Sequence, residues 1–252
     1  MKTQNIEGTV ALVTGASRGI GRALTEALLS RGVKKVYAAA RNPAGLRSPS
    51  DARLIPLQLD LTDPAQIRAA AKAAGDVEIV FSNAGVALGR GLADAAMLDD
   101  ARHEMDVNYF GPLQLLQCLA PALSRNGGGA VVTVGSLAGL SSLPFMPTYS
   151  ASKAALHSLT QAARVLLKAQ GTAVFGAYPG PVDTDMSRAL LLPKASAQSV
   201  AFAILAGIEA GHEDIYPDSF ALEFGRQFAT SPKGAEMQMG AMAEGMLSGS
   251  AE

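Results

Sequence analysis

The chain alternates short apolar runs with helical patterns, and this alternation limits its possible folds more than any other feature. Runs that predict strands lie at residues 9–14, 34–40, 52–59, 77–83, 129–136 and 172–179, and helical patterns lie at 20–32, 64–74, 97–124 and 149–170. Strands that are apolar throughout are expected where helices cover both faces of a sheet. Repeated strand–helix units imply parallel strands with right-handed crossovers. The expected fold class is therefore α/β, a doubly wound and mostly parallel sheet of about seven strands with helices on both faces.

Composition narrows the functional classes. The chain has 252 residues, with 21 Lys and Arg against 22 Asp and Glu. A balance this close to neutral gives no electrostatic footprint for nucleic acid or an anionic membrane. No apolar run is long enough to span a bilayer, the first residues lack the apolar stretch of a signal peptide, and the lone Cys118 cannot form an internal disulfide. A cytoplasmic protein with no nucleic-acid or membrane partner is expected. His103, His157 and His212 form no ligand motif, so no metal site is predicted.

A glycine-rich loop joins the first strand to the first helix. The segment "TGASRGIG" spans residues 14–21 and places glycines at 15, 19 and 21. A dinucleotide needs a tight turn here, a close backbone approach to its pyrophosphate, and a helix N-terminus aimed at the phosphate oxygens. The loop therefore predicts a dinucleotide site. Its expected contacts are Gly15, Ser17, Arg18, Gly19, Ile20 and Gly21.

Further motifs follow in a fixed order. They are "DLT" at 60–62, "NAG" at 83–85, "VNYFG" at 107–111, Ser136, "YSASK" at 149–153 and "PGPVDTD" at 179–185. With the glycine loop, they make residues 8–215 resemble the short-chain dehydrogenase/reductase family, of the NADP-preferring carbonyl reductase or alcohol dehydrogenase type. The resemblance implies a single Rossmann-type domain over residues 1–252. Its cofactor half would run to about residue 135 and its catalytic and substrate half from about 136, with an atypical Met-rich tail from about 218.

The resemblance also assigns the remaining cofactor contacts. Asp60, with the backbone of Leu61, would bind the adenine amino group, although "DLTDP" alone favours a helix N-cap for Asp60. Asn83, Ala84 and Gly85 would line the adenosine ribose and brace the sheet. The loop from Pro179 through Gly180 and Val182 to Thr184 would hold the nicotinamide carboxamide.

The end of the second strand predicts the choice of nicotinamide cofactor. NAD enzymes usually carry an acid there, whereas this strand ends in Ala39 and Ala40, followed by Arg41. Arg18 lies inside the glycine loop. Two guanidinium groups near one ribose suit a 2′-phosphate, so we expect NADP(H) to be preferred over NAD(H).

Tyr149 and Lys153 are spaced to share one helix face. Pro147 suits the start of a helix, which places Tyr149 in the first turn and Lys153 one turn later. Two unit charges about 4 Å apart interact by roughly 4 kcal/mol at an effective dielectric of about 20. The lysine could therefore lower the pKa of the phenol by up to roughly three units, within reach of neutrality. Taken alone, the spacing favours an ordinary surface pair on a helix.

The resemblance completes a catalytic set of Asn108, Ser136, Tyr149 and Lys153. NADPH would give a hydride from C4 of its nicotinamide to a carbonyl carbon, and Tyr149 would give a proton to the oxygen. Ser136 would donate a hydrogen bond to that oxygen, and Asn108 would hold a water that links Lys153 to solvent. The alternative is a non-catalytic NADP(H)-binding regulator or sensor, which would often have lost the tyrosine or the lysine.

The segments expected to line the substrate pocket are largely apolar. They are residues 86–92, 137–146 and 186–193, and they favour a hydrophobic ketone, aldehyde or alcohol. Met239, Met242 and Met246 recur at helical spacing in the tail, where they would pack on the body or on a partner subunit, or form an adaptable flap over the substrate. The resemblance implies a homodimer or homotetramer that forms through the long helices at 97–124 and 149–170. The second has small residues suited to close helix contact: Ala151, Ala154, Ala155, Ser158 and Ala162.

Overall fold

The computed structural model describes residues 4–46, 51–89, 94–188 and 190–249, without the side chains of 246–249. The strands are β1 (Val10–Thr14), β2 (Lys35–Ala40), β3 (Leu54–Gln58), β4 (Ile79–Ser82), β5 (Ala130–Val134), β6 (Ala173–Ala177), β7 (Val182–Asp183), β8 (Ala195–Ser196) and β9 (Asp214–Ile215). The α-helices are α1 (Gly19–Ser30), α2 (Pro64–Ala73), α3 (Met97–Met105), α4 (Gly111–Arg125), α5 (Pro147–Leu166), α6 (Ala197–Ala210), α7 (Ser219–Thr230) and α8 (Pro232–Gly249).

Seven strands form the central sheet in the order β3-β2-β1-β4-β5-β6-β9, and neighbouring strands are parallel. The expected doubly wound α/β sheet is confirmed. The chain moves outward in one direction from β1 to β3 and in the other from β4 onward. Such a reversal opens a crevice at the carboxyl ends of the two central strands, where ligands bind in open α/β sheets.

Two apolar layers cover the faces of this sheet. On one face, Leu24 and Leu28 of α1 pack with Val200 and Ile204 of α6. On the other face, α2, α4 and α5 contribute Ile67, Leu115, Leu119 and Ala163. Because both faces are buried, β1, β4 and β5 are apolar along almost their whole length. This burial explains why the strands were recognisable in the sequence.

The helical pattern at 97–124 forms two α-helices joined by a π-helical turn, Asp106–Phe110. Such turns inside α-helices are frequent at functional sites. Asn108 lies in this turn. At Gly111, directly after it, an added Cβ would lie 2.5 Å from Cβ of Leu61, so the helix start packs closely on the loop after β3.

The remaining differences from the sequence expectations are local. The segment at 41–51 contains a short 3-10 turn, Pro43–Leu46, and residues 47–50 lie outside the described residues. Strand β9 has two residues, too few for a recognisable pattern. The Met-rich tail forms two helices, α7 and α8, which are separated at Ser231. In the described part of the chain, no helix has the length and apolar character needed to cross a membrane.

Candidate active site

The glycine loop is so tightly packed that side chains are excluded at two of its positions. At Gly15, where φ is +67°, an added Cβ would lie 2.9 Å from Cα of Ala84. At Gly21, it would collide with the carbonyl oxygen of Gly15 and lie 2.5 Å from Nδ2 of Asn83. Helix α1 begins at Gly19, so its N-terminal N–H groups lie at the loop. This cradle fits the pyrophosphate of a dinucleotide, because helix N-termini favour anionic oxygens.

Polar side chains tie the carboxyl ends of β1 and β4 together. Asn83 Nδ2 donates to the carbonyl oxygen of Thr14 at 2.9 Å, and Thr14 Oγ1 accepts the N–H groups of Asn83 and Ala84, each at 2.9 Å. The predicted bracing role of Asn83 is therefore present. Thr14 was missed as its partner, although it stands directly before the first glycine of the loop.

Asp60 and Leu61 line the same cavity as the glycine loop. Asp60 Oδ1 accepts hydrogen bonds from the N–H and the hydroxyl of Thr62, at 2.9 and 2.8 Å. The N-cap of α2 is Asp63, whose Oδ1 accepts from Ala65 N at 2.8 Å. The N-cap interpretation of Asp60 is therefore wrong, because the helix begins one turn later than it requires.

The "PGPVDTD" loop also lines the cavity with Pro179, Gly180, Val182 and Thr184. Gly180 N donates to Asp218 Oδ2 at 2.9 Å, and the other carboxylate oxygen of Asp218 caps α7 by accepting from Ala221 N at 2.8 Å. Asp218 therefore links this loop to the C-terminal helices. Sequence reasoning missed it, because a partner 38 residues away leaves no local pattern.

Arg18 and Arg41 both line the cavity and are solvent-exposed. Arg18 Nη1 lies 3.2 Å from Asp185 Oδ2 in an exposed ion pair. Ala40, the last residue of β2, lines the cavity next to Arg41, so no acid stands at the end of this strand. Both arginines thus line one cavity, with Arg18 turned towards Asp185, and their expected position around a ribose 2′-phosphate stays a prediction.

Tyr149 and Lys153 occupy the first turns of α5, as their spacing predicts. The helix begins at Pro147, and both side chains line the cavity. Lys153 is buried, and its Nζ donates to the carbonyl oxygen of Val134 at 2.9 Å. The same nitrogen lies 5.8 Å from the ring centroid of Tyr149.

Burial controls the ionisation of this pair. It raises the pKa of Tyr149 to about 12, which the hydrogen bond with Ser136 opposes and the charge of Glu104 reinforces. Burial also lowers the pKa of Lys153 to about 8. The expectation that Lys153 brings the tyrosine pKa close to neutrality is therefore wrong for this arrangement, because the removal of the phenolate from water outweighs the one opposing effect, the hydrogen bond with Ser136.

Ser136 follows β5 and begins a short 3-10 turn, Leu137–Gly139. Its hydroxyl oxygen accepts from Ala138 N at 3.2 Å, and the residue lines the cavity beside Tyr149. The structure thus brings the predicted serine to the predicted tyrosine, although 13 residues separate them in the chain.

Asn108 is fully buried and holds the loop that follows β4. Its Oδ1 accepts from Val86 N at 2.9 Å, and its Nδ2 donates to Val86 O at 2.8 Å and to Ser152 Oγ at 2.9 Å. Ser152 Oγ in turn donates to Tyr149 O at 2.7 Å. Between Asn108 and Lys153 lies Gly85, where an added Cβ would lie 3.1 Å from Asn108 Oδ1 and 3.4 Å from Lys153 Nζ. The role of Asn108 in holding a water stays a prediction.

The cavity has a volume of about 310 Å³ and contains the glycine loop, the tyrosine and an apolar region. All three predicted lining segments contribute, although residues 90–92 lie outside the described residues. Helices α7 and α8 add Phe220, Met239 and Met242. Met239 is also buried against Leu137 and Tyr178, so it both packs on the body and lines the cavity, whereas the side chain of Met246 lies outside the described residues. The apolar residues that line the cavity include Val86, Ala87, Leu143, Phe145, Met146, Met186, Leu190, Leu192, Phe220, Met239 and Met242.

The described residues contain no group of three or more histidines, cysteines and acids arranged to hold a metal ion. Cys118 is a partly buried free thiol that packs on the apolar layer formed with α4.

A doubly wound parallel sheet, a glycine cradle at its switch point, and a tyrosine, a lysine and a serine in one cavity define a dinucleotide-binding oxidoreductase. Comparison with known proteins gives the family. The family model for short chain dehydrogenases matches residues 9–194. The chain belongs to this family, whose members act on CH–OH and C=O groups with a nicotinamide cofactor.

Individual relatives agree with this assignment. Over 194 residues, 74% of this chain and 78% of the relative, the chain is 34% identical to the 3-oxoacyl-[acyl-carrier-protein] reductase FabG of Salmonella typhimurium. A short chain dehydrogenase from Burkholderia cenocepacia, solved in complex with NADP, is 38% identical with a TM-score of 0.88, covering 94% of this chain and 99% of that one. One from Burkholderia phymatum, in complex with NAD, is 28% identical with a TM-score of 0.77, covering 91% and 95%.

Proposed function

We propose that this protein is an NADPH-dependent reductase of hydrophobic ketones or aldehydes, with Tyr149 as the proton donor. One observation carries the proposal: Tyr149, Ser136 and an apolar region share one cavity with the glycine cradle. A carbonyl group placed at the tyrosine would therefore have its apolar substituents against methionine, leucine and phenylalanine side chains.

The residues of this chain divide the chemistry among them. The nicotinamide supplies the hydride when the cofactor is bound. Tyr149 donates its phenolic proton to the carbonyl oxygen, and the Ser136 hydroxyl donates a hydrogen bond to the same oxygen, which stabilises the charge developing there. Lys153, whose pKa is lowered to about 8, exchanges its proton readily near neutral pH and can restore the proton of Tyr149.

The reductive direction follows from the state of the phenol. Burial raises the pKa of Tyr149 to about 12, so the hydroxyl holds its proton at neutral pH. A protonated phenol is ready to donate, whereas alcohol oxidation would first require its deprotonation. The protonated phenol is therefore suited to act as the acid in carbonyl reduction near pH 7.

The preference for NADP(H) rests on charge. Arg41 and Arg18 both line the cavity, and β2 ends in alanine where an acid would bind ribose hydroxyls. Arginine binds phosphate through paired, charge-assisted donors. The relative from Burkholderia cenocepacia was solved with NADP, whereas that from Burkholderia phymatum was solved with NAD. The proposed preference for NADP(H) therefore rests on Arg18 and Arg41 of this chain and not on the relatives.

A non-catalytic NADP(H)-binding regulator is the second candidate. The glycine cradle would serve it equally well, but it has no need for a buried lysine beside a cavity tyrosine. A spectrophotometric screen of ketones, aldehydes and secondary alcohols with both cofactors separates the two. NADPH consumption with apolar ketones is expected; tight NADPH binding without turnover of any carbonyl would favour the regulator.

We further propose a cytoplasmic homodimer that forms through α4 and α5. The outer face of α5 presents Ala151, Ala154 and Ser158, and ends in Val165 and Leu166, whose side chains are about three-quarters exposed. Small residues permit close helix contact, and exposed apolar groups gain from burial between subunits. Ala154→Arg is expected to give a monomer by analytical ultracentrifugation, and Ala241→Arg on the exposed side of α8 is expected to leave the dimer intact. A monomeric unsubstituted protein at micromolar concentration would contradict this.

A further inference from the structure

A buried glutamate lies beside the active site and has no role in the chemistry described above. Glu104 belongs to α3, which packs against α5, the helix of Tyr149 and Lys153. The residue is 0% exposed. Its Oε1 accepts the N–H of Leu88 at 2.7 Å, and its Oε2 has no hydrogen-bond partner among the described residues. A buried carboxyl group with an unpartnered oxygen lowers the stability of the fold, so we expect Glu104 to have a function that offsets this cost.

The hydrogen bond to Leu88 indicates one role for Glu104, which is to hold a loop of the cavity wall. Glu104 and Asn108 lie one helical turn apart and hold the same loop, residues 86–89, at Leu88 and Val86. This loop, hereafter the cavity loop, contributes Val86 and Ala87 to the cavity wall. The two side chains therefore fix the loop backbone at alternate residues.

The hydrogen bond alone does not require a charge. The amide oxygen of a glutamine would accept the Leu88 N–H equally well and would leave no unpartnered anionic oxygen. A carboxylate with few hydrogen bonds in a low-dielectric interior acts strongly on other buried groups, because little around it compensates its charge. Its charge raises the pKa of Tyr149.

We propose that Glu104 is a positioning residue of the active site with two separate effects. Its Oε1 fixes the backbone of the cavity loop at Leu88, and its negative charge adds to the burial that disfavours the phenolate of Tyr149. The inference rests on the proposed role of Tyr149. Ser136 acts on the same tyrosine through its hydroxyl, and Lys153 Nζ lies 5.8 Å from the ring centroid of Tyr149. The remaining titratable groups that line the cavity are Arg18, Arg41, Asp60, His103 and Asp185.

The variant Glu104→Gln tests the effect of the charge, because it keeps the shape and the acceptor for Leu88. Without the negative neighbour the phenolate is less disfavoured, so Tyr149 should lose its proton about one pH unit lower than in the unsubstituted protein. Two measurements check this. One is the alkaline fall of kcat/KM for ketone reduction, and the other is tyrosinate absorbance after a rapid pH jump, taken as the difference from Tyr149→Phe. The KM for the ketone should stay within about twofold.

The variant Glu104→Leu tests the effect of the hydrogen bond. It removes the charge and also leaves the Leu88 N–H without its acceptor, so the same alkaline shift should be accompanied by a KM increase of about tenfold. Glu26→Gln, at an exposed glutamate paired with Arg22 on α1, is the matched control and should change neither quantity.

An unchanged tyrosinate midpoint in Glu104→Gln would overturn the effect of the charge, and an unchanged KM in a folded Glu104→Leu would overturn the effect of the hydrogen bond. The proposed function fails by a different result, namely normal turnover in Tyr149→Phe. The two failures are therefore distinguishable.

Discussion

The cofactor half and the substrate half of the cavity are built on different principles. Around the glycine loop, backbone atoms approach so closely that a methyl group at Gly21 would meet the carbonyl oxygen of Gly15. Around α8, the cavity wall consists of flexible apolar side chains such as Met239 and Met242, and Gly240 between them has no atom within 4 Å of an added Cβ.

This difference shows where each half can change. Where backbone atoms form the cavity wall, few residue types fit, because a collision with the backbone cannot be relieved by a different side-chain rotamer. A wall of methionine and leucine can repack around a new shape, because these side chains have several rotatable bonds. The cofactor half should therefore tolerate few substitutions, and the substrate half should respond to substitution by shifting its preferences.

The largest effect is expected at the point where the two halves meet. Tyr149→Phe removes the proton donor and leaves the ring in place, so turnover of a ketone should fall by about a thousandfold. Thermal unfolding and the dissociation constant for NADPH should change little. Near-normal turnover would contradict the proposed mechanism, because it would show that the reaction does not need the Tyr149 hydroxyl.

Gly21→Ala tests the close backbone packing of the cofactor half. The new methyl group has no space beside Gly15, so NADPH binding should weaken by about a hundredfold or the melting temperature should fall sharply. Gly240→Ala is the matched change in the substrate half. There a helical alanine meets open space and should stabilise the fold by about 0.5–1 kcal/mol. Equal outcomes for the two variants, measured by calorimetry and NADPH titration, would remove the contrast between the halves.

Arg41→Asp tests a side chain of the cofactor half. We expect this side chain, and not the backbone, to determine the preference between NADPH and NADH. NADPH binding should weaken by about a hundredfold through loss of paired donors and added repulsion, and NADH binding should change far less. Fluorescence titration with each cofactor measures this, with Arg125→Asp at the exposed end of α4 as control. Equal losses for both cofactors would refute the assignment.

Met242→Ala should produce the smallest effect, a change of preference. The partly buried side chain lines the cavity, so its truncation should lower the KM for bulkier ketones a few-fold and raise it for small ones. Met239 is more deeply packed, and Met239→Ala should also destabilise the fold by about 2–5 kcal/mol. Met237→Ala, at an exposed position of the same helix, is the control. An unchanged series of KM values across ketone sizes would argue against a substrate role for α8.

The fold and the cofactor cradle were predictable because local rules dictate them. Strands buried on both faces must be apolar along their length, and Gly15, Gly19 and Gly21 stand where a positive φ or a close approach excludes other residues. The serines inside "YSASK" show contacts that could not be predicted from the sequence. Ser152 holds Asn108, and Ser150 Oγ accepts from Leu143 N at 3.0 Å, yet serine suits many positions of a helix start, so neither contact has a signal in the sequence.

By itself, the sequence determined the parallel α/β sheet, the dinucleotide cradle and the tyrosine–lysine face of α5. The tertiary structure alone decided how these groups ionise and which distant residues support them. The pKa of Tyr149 depends on how completely α3 and the cavity walls exclude water, and the anchors at Glu104 and Asp218 reach backbone groups 16 and 38 residues away. Local geometry limits residue types directly, whereas desolvation and long-range contacts exist only once the chain has folded around them.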